Sequence, residues 1–176
     1  MADIRIEYSN LWTYDINSLG KGAVTKRLPL KYLNNSNCTH IHGDLKIIID
    51  NRTVPYISEL ESDDVCIGYW IEMINNLFIQ FSNGCPSYSI QGGDQGKPEY
   101  KFDRRENKVY LSIVDSPLGG KKDIAWQEVC FEYKDFKREY RKLKVGLIDE
   151  IASDAPQVLT EWKNKIYAET SYNVFI

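Results

Sequence analysis

Five apolar residues, Phe136, Tyr140, Leu143, Leu147 and Ile151, recur at spacings of four, three, four and four within "YKDFKREYRKLKVGLIDEI". That period is the turn of an α-helix with a single apolar side. Most of the stability of such a helix comes from laying its stripe on a partner, so the stripe demands a surface to cover. The segments before it supply one. In Val109–Val114, Val109, Leu111 and Ile113 share one face while Tyr110, Ser112 and Val114 share the other, the period-two pattern of a strand. "SYSIQ" (87–91), "PEYKFDRR" (98–105) and "IAWQEVCFEY" (124–133) extend the series, and "RRENK" reads as a hairpin turn. Strands followed by amphipathic helices predict the α+β class: one domain over residues 1–176, mainly an antiparallel sheet of five to six strands.

The remaining segments fit this scheme. "DIRIEY" (3–8) alternates as a half-buried strand does. Residues 10–43 show little periodicity and read as irregular, with room for one strand. "DLKIIIDNRTVPYI" (44–57) is strand, turn, strand, with Asp50-Asn51 as turn chemistry and Pro55 favouring an edge. "SDDVCIGYWIEMINNLFIQFSNG" (62–84) reads as a central helix, capped by Ser62, with Asp63 and Asp64 at its positive end and Gly84 past its finish. A strand through Val65–Glu72 competes with its start. "SDAPQVLTEWKNKIYAE" gives a last helix, with Asp154 as cap, Pro156 in the first turn and Val158, Trp162 and Ile166 as its stripe.

The net charge of −3 creates no global field toward nucleic acid or an anionic membrane. "MADIRIEYSN" has neither the basic nor the apolar region of a signal peptide, and no run of about 18 apolar residues occurs. The expectation is a cytoplasmic protein whose four cysteines are free thiols. Charge is unevenly spread: seven acids and two bases lie between Asp44 and Glu72, thirteen bases and nine acids between Lys97 and Lys144.

Two clusters suggest metal-dependent hydrolysis. "CTHIHGD" (38–44) holds both histidines. On a strand His40 and His42 would point the same way, and Cys38 or Asp44 would complete a shell. Zinc sites need three or four protein ligands, however, and the chain has no further imidazole; the plainer reading is a polar loop leading into a strand at Leu45–Ile49. Asp94, Glu99 and Lys101 resemble a nuclease set, an acid pair for a metal with a Lys to orient water. Glu-x-Lys recurs at Glu132–Lys134 and Glu161–Lys163, which weakens the motif. "QGGDQGKPEY" fails as a phosphate loop, because Gln91 and Pro98 stand where Gly and Ser or Thr are needed. No G-x-S-x-G elbow exists. Cys85 sits by a turn with little prospect of a base, and Cys66 and Cys130 read as small core residues. Basic residues alternate with aromatics in "YKDFKREYRKLK", but the aromatics fall on the apolar stripe, leaving a solvated Lys/Arg face.

The acidic run "SELESDD" contributes Glu59, Glu61, Asp63 and Asp64 as a candidate contact patch for a basic partner. The plainer reading is an acidic lead into a helix.

The succession "DLKIIID", "YWIEMINNL", "YKFDRRENKVYLSIVD" and "VCFEYKDFKREYRKL" resembles bacterial immunity proteins of polymorphic-toxin and contact-dependent growth inhibition systems, over roughly residues 45–152. The likeness is of architecture, so function drawn from it is analogy. It implies a non-enzymatic inhibitor, without cofactor, that binds a cognate protein toxin and blocks its active site. An acidic patch would then mimic phosphate toward a basic nuclease toxin. No direct nucleic-acid or membrane contact is expected, and the sequence leaves the oligomeric state open.

Overall fold

The computed structural model describes residues 3–14, 26–35, 40–57, 64–92 and 95–167. Among them, nine strands form two antiparallel sheets, and three α-helices complete an α+β fold. The first sheet contains β1 (Ile4–Tyr14), β2 (Arg27–Leu28), β3 (His42–Ile49), β4 (Arg52–Thr53) and β5 (Asp64–Cys66). Its order is β2-β1-β3, and both β4 and β5 pair with β3, at opposite ends of that strand. The second is a meander of β6 (Ser87–Gln91), β7 (Glu99–Arg105), β8 (Lys108–Val114) and β9 (Val129–Glu132). The helices are α1 (Ile67–Ser82), α2 (Tyr133–Asp154) and α3 (Leu159–Tyr167). No helix among the described residues is long and apolar enough to cross a membrane.

The expected class stands, with one central and two C-terminal helices; the strands divide into two sheets of five and four. Several boundaries differ from the sequence reading. β1 runs six residues past Tyr8, into the stretch read as irregular. β3 begins at His42, so the loop expected before Leu45 is already strand. Residues 64–66 form β5, and α1 starts at Ile67 with Cys66 as N-cap. The competing strand reading is therefore correct for the first residues only. Ser62 and Asp63, the expected cap and dipole partner, lie outside the described residues. Asp154 ends α2 rather than capping α3; the chain turns at Ala155 into a short 3-10 segment, Pro156–Val158. A 3-10 turn at Ile124–Trp126 also precedes β9.

Turn chemistry follows the sequence. Asp50 and Asn51 both take positive φ (52° and 61°) between β3 and β4, the conformation a two-residue hairpin needs. Glu106 does so between β7 and β8.

One apolar core joins the sheets and helices. The α2 stripe is buried as its spacing requires: Phe136, Tyr140, Leu143, Leu147 and Ile151 are all nearly inaccessible. Phe136 meets Phe102 and Phe131 of the second sheet. The Tyr140 hydroxyl lies 2.8 Å from the Ile71 carbonyl and 2.9 Å from Asn75 Oδ1, tying α2 to α1. Burial pushes the pKa of that hydroxyl well up, so it stays a donor. Two contacts bridge the sheets. The Tyr100 hydroxyl of β7 donates to the Pro55 carbonyl (3.0 Å). Arg52 of β4 stacks on Trp126 at 4.5 Å and donates to the Ala125 carbonyl (2.7 Å).

Candidate functional site

The chemistry-bearing "HIHGD" segment lies where β1 and β3 lose register. Ser9 faces Asp44, and the next pair is Trp12 with His42, so β1 holds one residue too many. This is a β-bulge. Asn10 takes φ 53° there, a conformation Asn tolerates better than most side chains. The Asp44 carboxylate accepts hydrogen bonds from the Ser9 hydroxyl (2.9 Å) and from the Asn10 side-chain amide. Gly43 lies opposite the extra residue. A Cβ on it would come within 2.7 Å of the Ser9 carbonyl oxygen and 2.9 Å of Leu11 Cδ2. Asp44 and Gly43 therefore have a structural task, holding and admitting the bulge.

The bulge switches which side of β1 each residue faces. Before it, Ile4 and Ile6 point into the core. After it, Thr13 is buried, while Trp12 turns to the face that carries His42. Trp12, His42 and Cys66 then form one row across β1, β3 and β5. The Trp12 and His42 rings are 4.7 Å apart, and Tyr14 lies 5.5 Å from His42 and 5.0 Å from His40. Arg27 of β2 covers Trp12 at 4.8 Å. Burial, helped by the charge of Lys165, lowers the His40 pKa below its ordinary 6.5. Burial and the Cys66 sulfur raise that of Tyr14. Near neutral pH this favours an uncharged His40 and a protonated Tyr14 within an aromatic cluster.

His40 lies just before β3 and His42 opens it. The two imidazoles both meet Tyr14. Among the described residues no group of three or more His, Cys, Asp or Glu is arranged to hold a metal ion. Cys38 and Asp94 lie outside the described residues. Glu99 and Lys101 belong to β7 in the other sheet, and Lys101 pairs with Asp103 at 3.1 Å. Burial opposes ionisation of Asp103, but the Ser87 hydroxyl and the Lys101 ammonium outweigh it and lower its pKa.

Of the acidic run, Glu59, Glu61 and Asp63 fall outside the described residues. Asp64 opens β5 as the register partner of Asp44. Cys66 and Cys130 are half-buried rather than core residues, and Cys85 is exposed. Trp12, Tyr14, Arg27 and Cys66 escaped the sequence reading as site residues. Their signal was the parity break in "IEYSNLWTY", where even-numbered core positions give way to odd ones at Ser9-Asn10.

Compared with protein-family models, with curated proteins and with solved structures, the chain matches none.

Proposed function

We propose that this chain acts by binding another protein, as a cytoplasmic, stoichiometric inhibitor of the immunity-protein kind that occludes the active site of a cognate bacterial toxin. The observation that carries the reading is what the bulge assembles. Trp12, Arg27 and His42 lie on the same face of the first sheet as Asp44. Trp, Tyr and Arg are the residue types that dominate binding energy at interfaces, and Trp12 is half-buried with Arg27 stacked on it. Asp44 adds an acid beside them, and the sequence leading into β5 carries Glu59, Glu61, Asp63 and Asp64. Aromatic anchors next to concentrated acid suit a basic protein surface.

The partner this reading requires is the toxic C-terminal region of a large secreted protein encoded directly upstream. Two variants dissect binding to it. Trp12→Ala should weaken the complex about tenfold or more, mainly through faster dissociation. Reversing Glu59, Glu61, Asp63 and Asp64 together should slow association at low salt and leave thermal stability nearly unchanged. Binding indifferent to both variants would remove this face from consideration. The alternative, a metal-dependent hydrolase or nuclease using His40, His42 and Asp44 or Asp94, Glu99 and Lys101, predicts a stoichiometric transition metal on the purified protein. In the first case that metal is lost on substituting His40 and His42 by Ala.

A further inference from the structure

The outer face of α2 carries its charge in two blocks. Residues 133–144 hold six bases (Lys134, Lys137, Arg138, Arg141, Lys142, Lys144) and two acids, whereas residues 145–154 hold three acids (Asp149, Glu150, Asp154) and no base. The helix dipole acts within the first and last turns only, and the first turn already holds Asp135 beside Lys134. The last turn has no basic residue at all.

The ridge 141-145-149 spans both blocks. These residues are spaced by four, lie along one line of the helix surface, and are all exposed. Val145 at the centre is 44% exposed, one of the few large apolar side chains left to solvent. The neighbouring cations are engaged within the chain: Arg138 pairs with Asp135 and Glu139, and Lys142 with Glu139. Arg141 and Asp149 make no ion pair among the described residues. Eight residues apart, they are two turns distant and cannot pair with each other.

The geometry points to a second copy of this chain as the occupant of this face, with two α2 helices crossing antiparallel about Val145. A two-fold axis through that residue places Val145 on its own counterpart. It also sets each Arg141 opposite Asp149 of the other copy, so the basic half of one helix lies on the acidic half of the other. Packing of this kind is isologous, and the ridge satisfies it because its charges are reversed about its centre. A nucleic acid or a uniformly acidic protein would meet repulsion from Asp149 and Glu150. A helix pair falls below the roughly 1,200 Å² that marks stable standard-size interfaces, so the dimer is weak. This surface differs from the Trp12–Asp44 face, and its test needs no toxin.

Sedimentation equilibrium over a wide concentration range, at low and high salt, reads the association directly. The wild-type protein should show a monomer–dimer equilibrium that weakens as salt rises. Arg141→Asp alone and Asp149→Arg alone should each weaken it about tenfold or more, since each creates two like-charge contacts across the axis. The double variant Arg141→Asp/Asp149→Arg should restore it, because the swapped charges face each other again. Circular-dichroism melts of all three exposed-site variants confirm that the fold is intact. A wild-type chain that stays monomeric at millimolar concentration overturns the proposal. So does a dimer that survives both single reversals, or one that the double variant fails to restore.

Discussion

β7 and β8 pair without a break from Glu99–Val114 to Arg105–Lys108, whereas β1 and β3 slip by one residue between Ser9 and Trp12. The two ladders differ in what fixes them. In the second sheet β7 meets β8 through the two-residue turn at Glu106-Asn107, which sets their register. In the first sheet Ile4 must find Ile49 across most of the intervening chain, with no local turn to fix the pairing. Its register rests on side-chain pattern, on the Asp44 bonds to Ser9 and Asn10, and on the missing side chain of Gly43. The ladder set by a local turn is the regular one. The sheet set by distant contacts carries the irregularity that redirects Trp12 toward His42, which agrees with the tendency of bulges to re-aim side chains.

The sharpest way to break the second sheet is through its loops. Gly120 lies where the connection after β8 crosses the one before β7, clasped by the Ser116 hydroxyl on the Lys97 carbonyl (2.6 Å). A Cβ on Gly120 would sit 2.0 Å from the Lys97 carbonyl atoms, which are backbone and cannot swing aside. Gly120→Ala should cost about 3 kcal/mol or more in chemical denaturation, the range reserved for severe overpacking. A loss under about 1 kcal/mol would show that this clasp is loose.

Gly43→Ala tests the first sheet in the same way. The contacts there are less severe, one backbone and one side-chain atom, and the Leu11 side chain can move. The expected loss is about 1–3 kcal/mol. The more telling readout is spectroscopic: if Gly43 admits the bulge, the ring contact between Trp12 and His42 should weaken in the variant. An unchanged Trp12 environment would mean that Asp44 alone holds the bulge.

The smallest effects separate the sheets by pH. His40, beside the first sheet, has a pKa below its ordinary 6.5 because burial disfavours its charge. The unfolded chain takes up that proton first, so its contribution is present above pH 6.5 and is lost as pH falls from there through the folded value. Asp103, in the second sheet, has a pKa below its ordinary 3.8. It contributes above that value, and the contribution disappears only as pH falls through the lower folded one. Denaturation between pH 7 and 5 should therefore respond to His40→Asn, and between pH 4 and 3 to Asp103→Asn. An imidazole signal for His40 titrating above 6.5 by NMR would contradict the burial described here.

The "CTHIHGD" segment shows how much geometry a composition leaves open. β3 begins at His42, the rings of His40 and His42 both meet Tyr14, and the Asp44 carboxylate is bonded to Ser9 and Asn10 of the bulge. Cys66 was set aside as a core residue, yet pairing of β5 with β3 carries it to a half-exposed position in the row of His42. Similarly, "SDDVC" offered an attractive helix start on capping chemistry. A strand-forming contact with β3 took residues 64–66 instead, since tertiary pairing outweighs the modest gain of a cap.

What the sequence by itself determined is everything governed by near neighbours. That covers the buried stripe of α2, the alternation of β7 and β8, and the positive-φ turn at Asp50-Asn51. The charge order along α2 belongs to the same group. These depend on periods of two and 3.6 residues and on the conformational reach of single residues, all of which a linear chain displays. Tertiary structure alone decided the register of β1 on β3, the face to which Trp12 turns, and the row that brings Cys66 beside His42. Each of these depends on which distant backbone supplies a hydrogen bond. A shift of one residue in that choice reverses every side chain beyond it, and no local pattern records it.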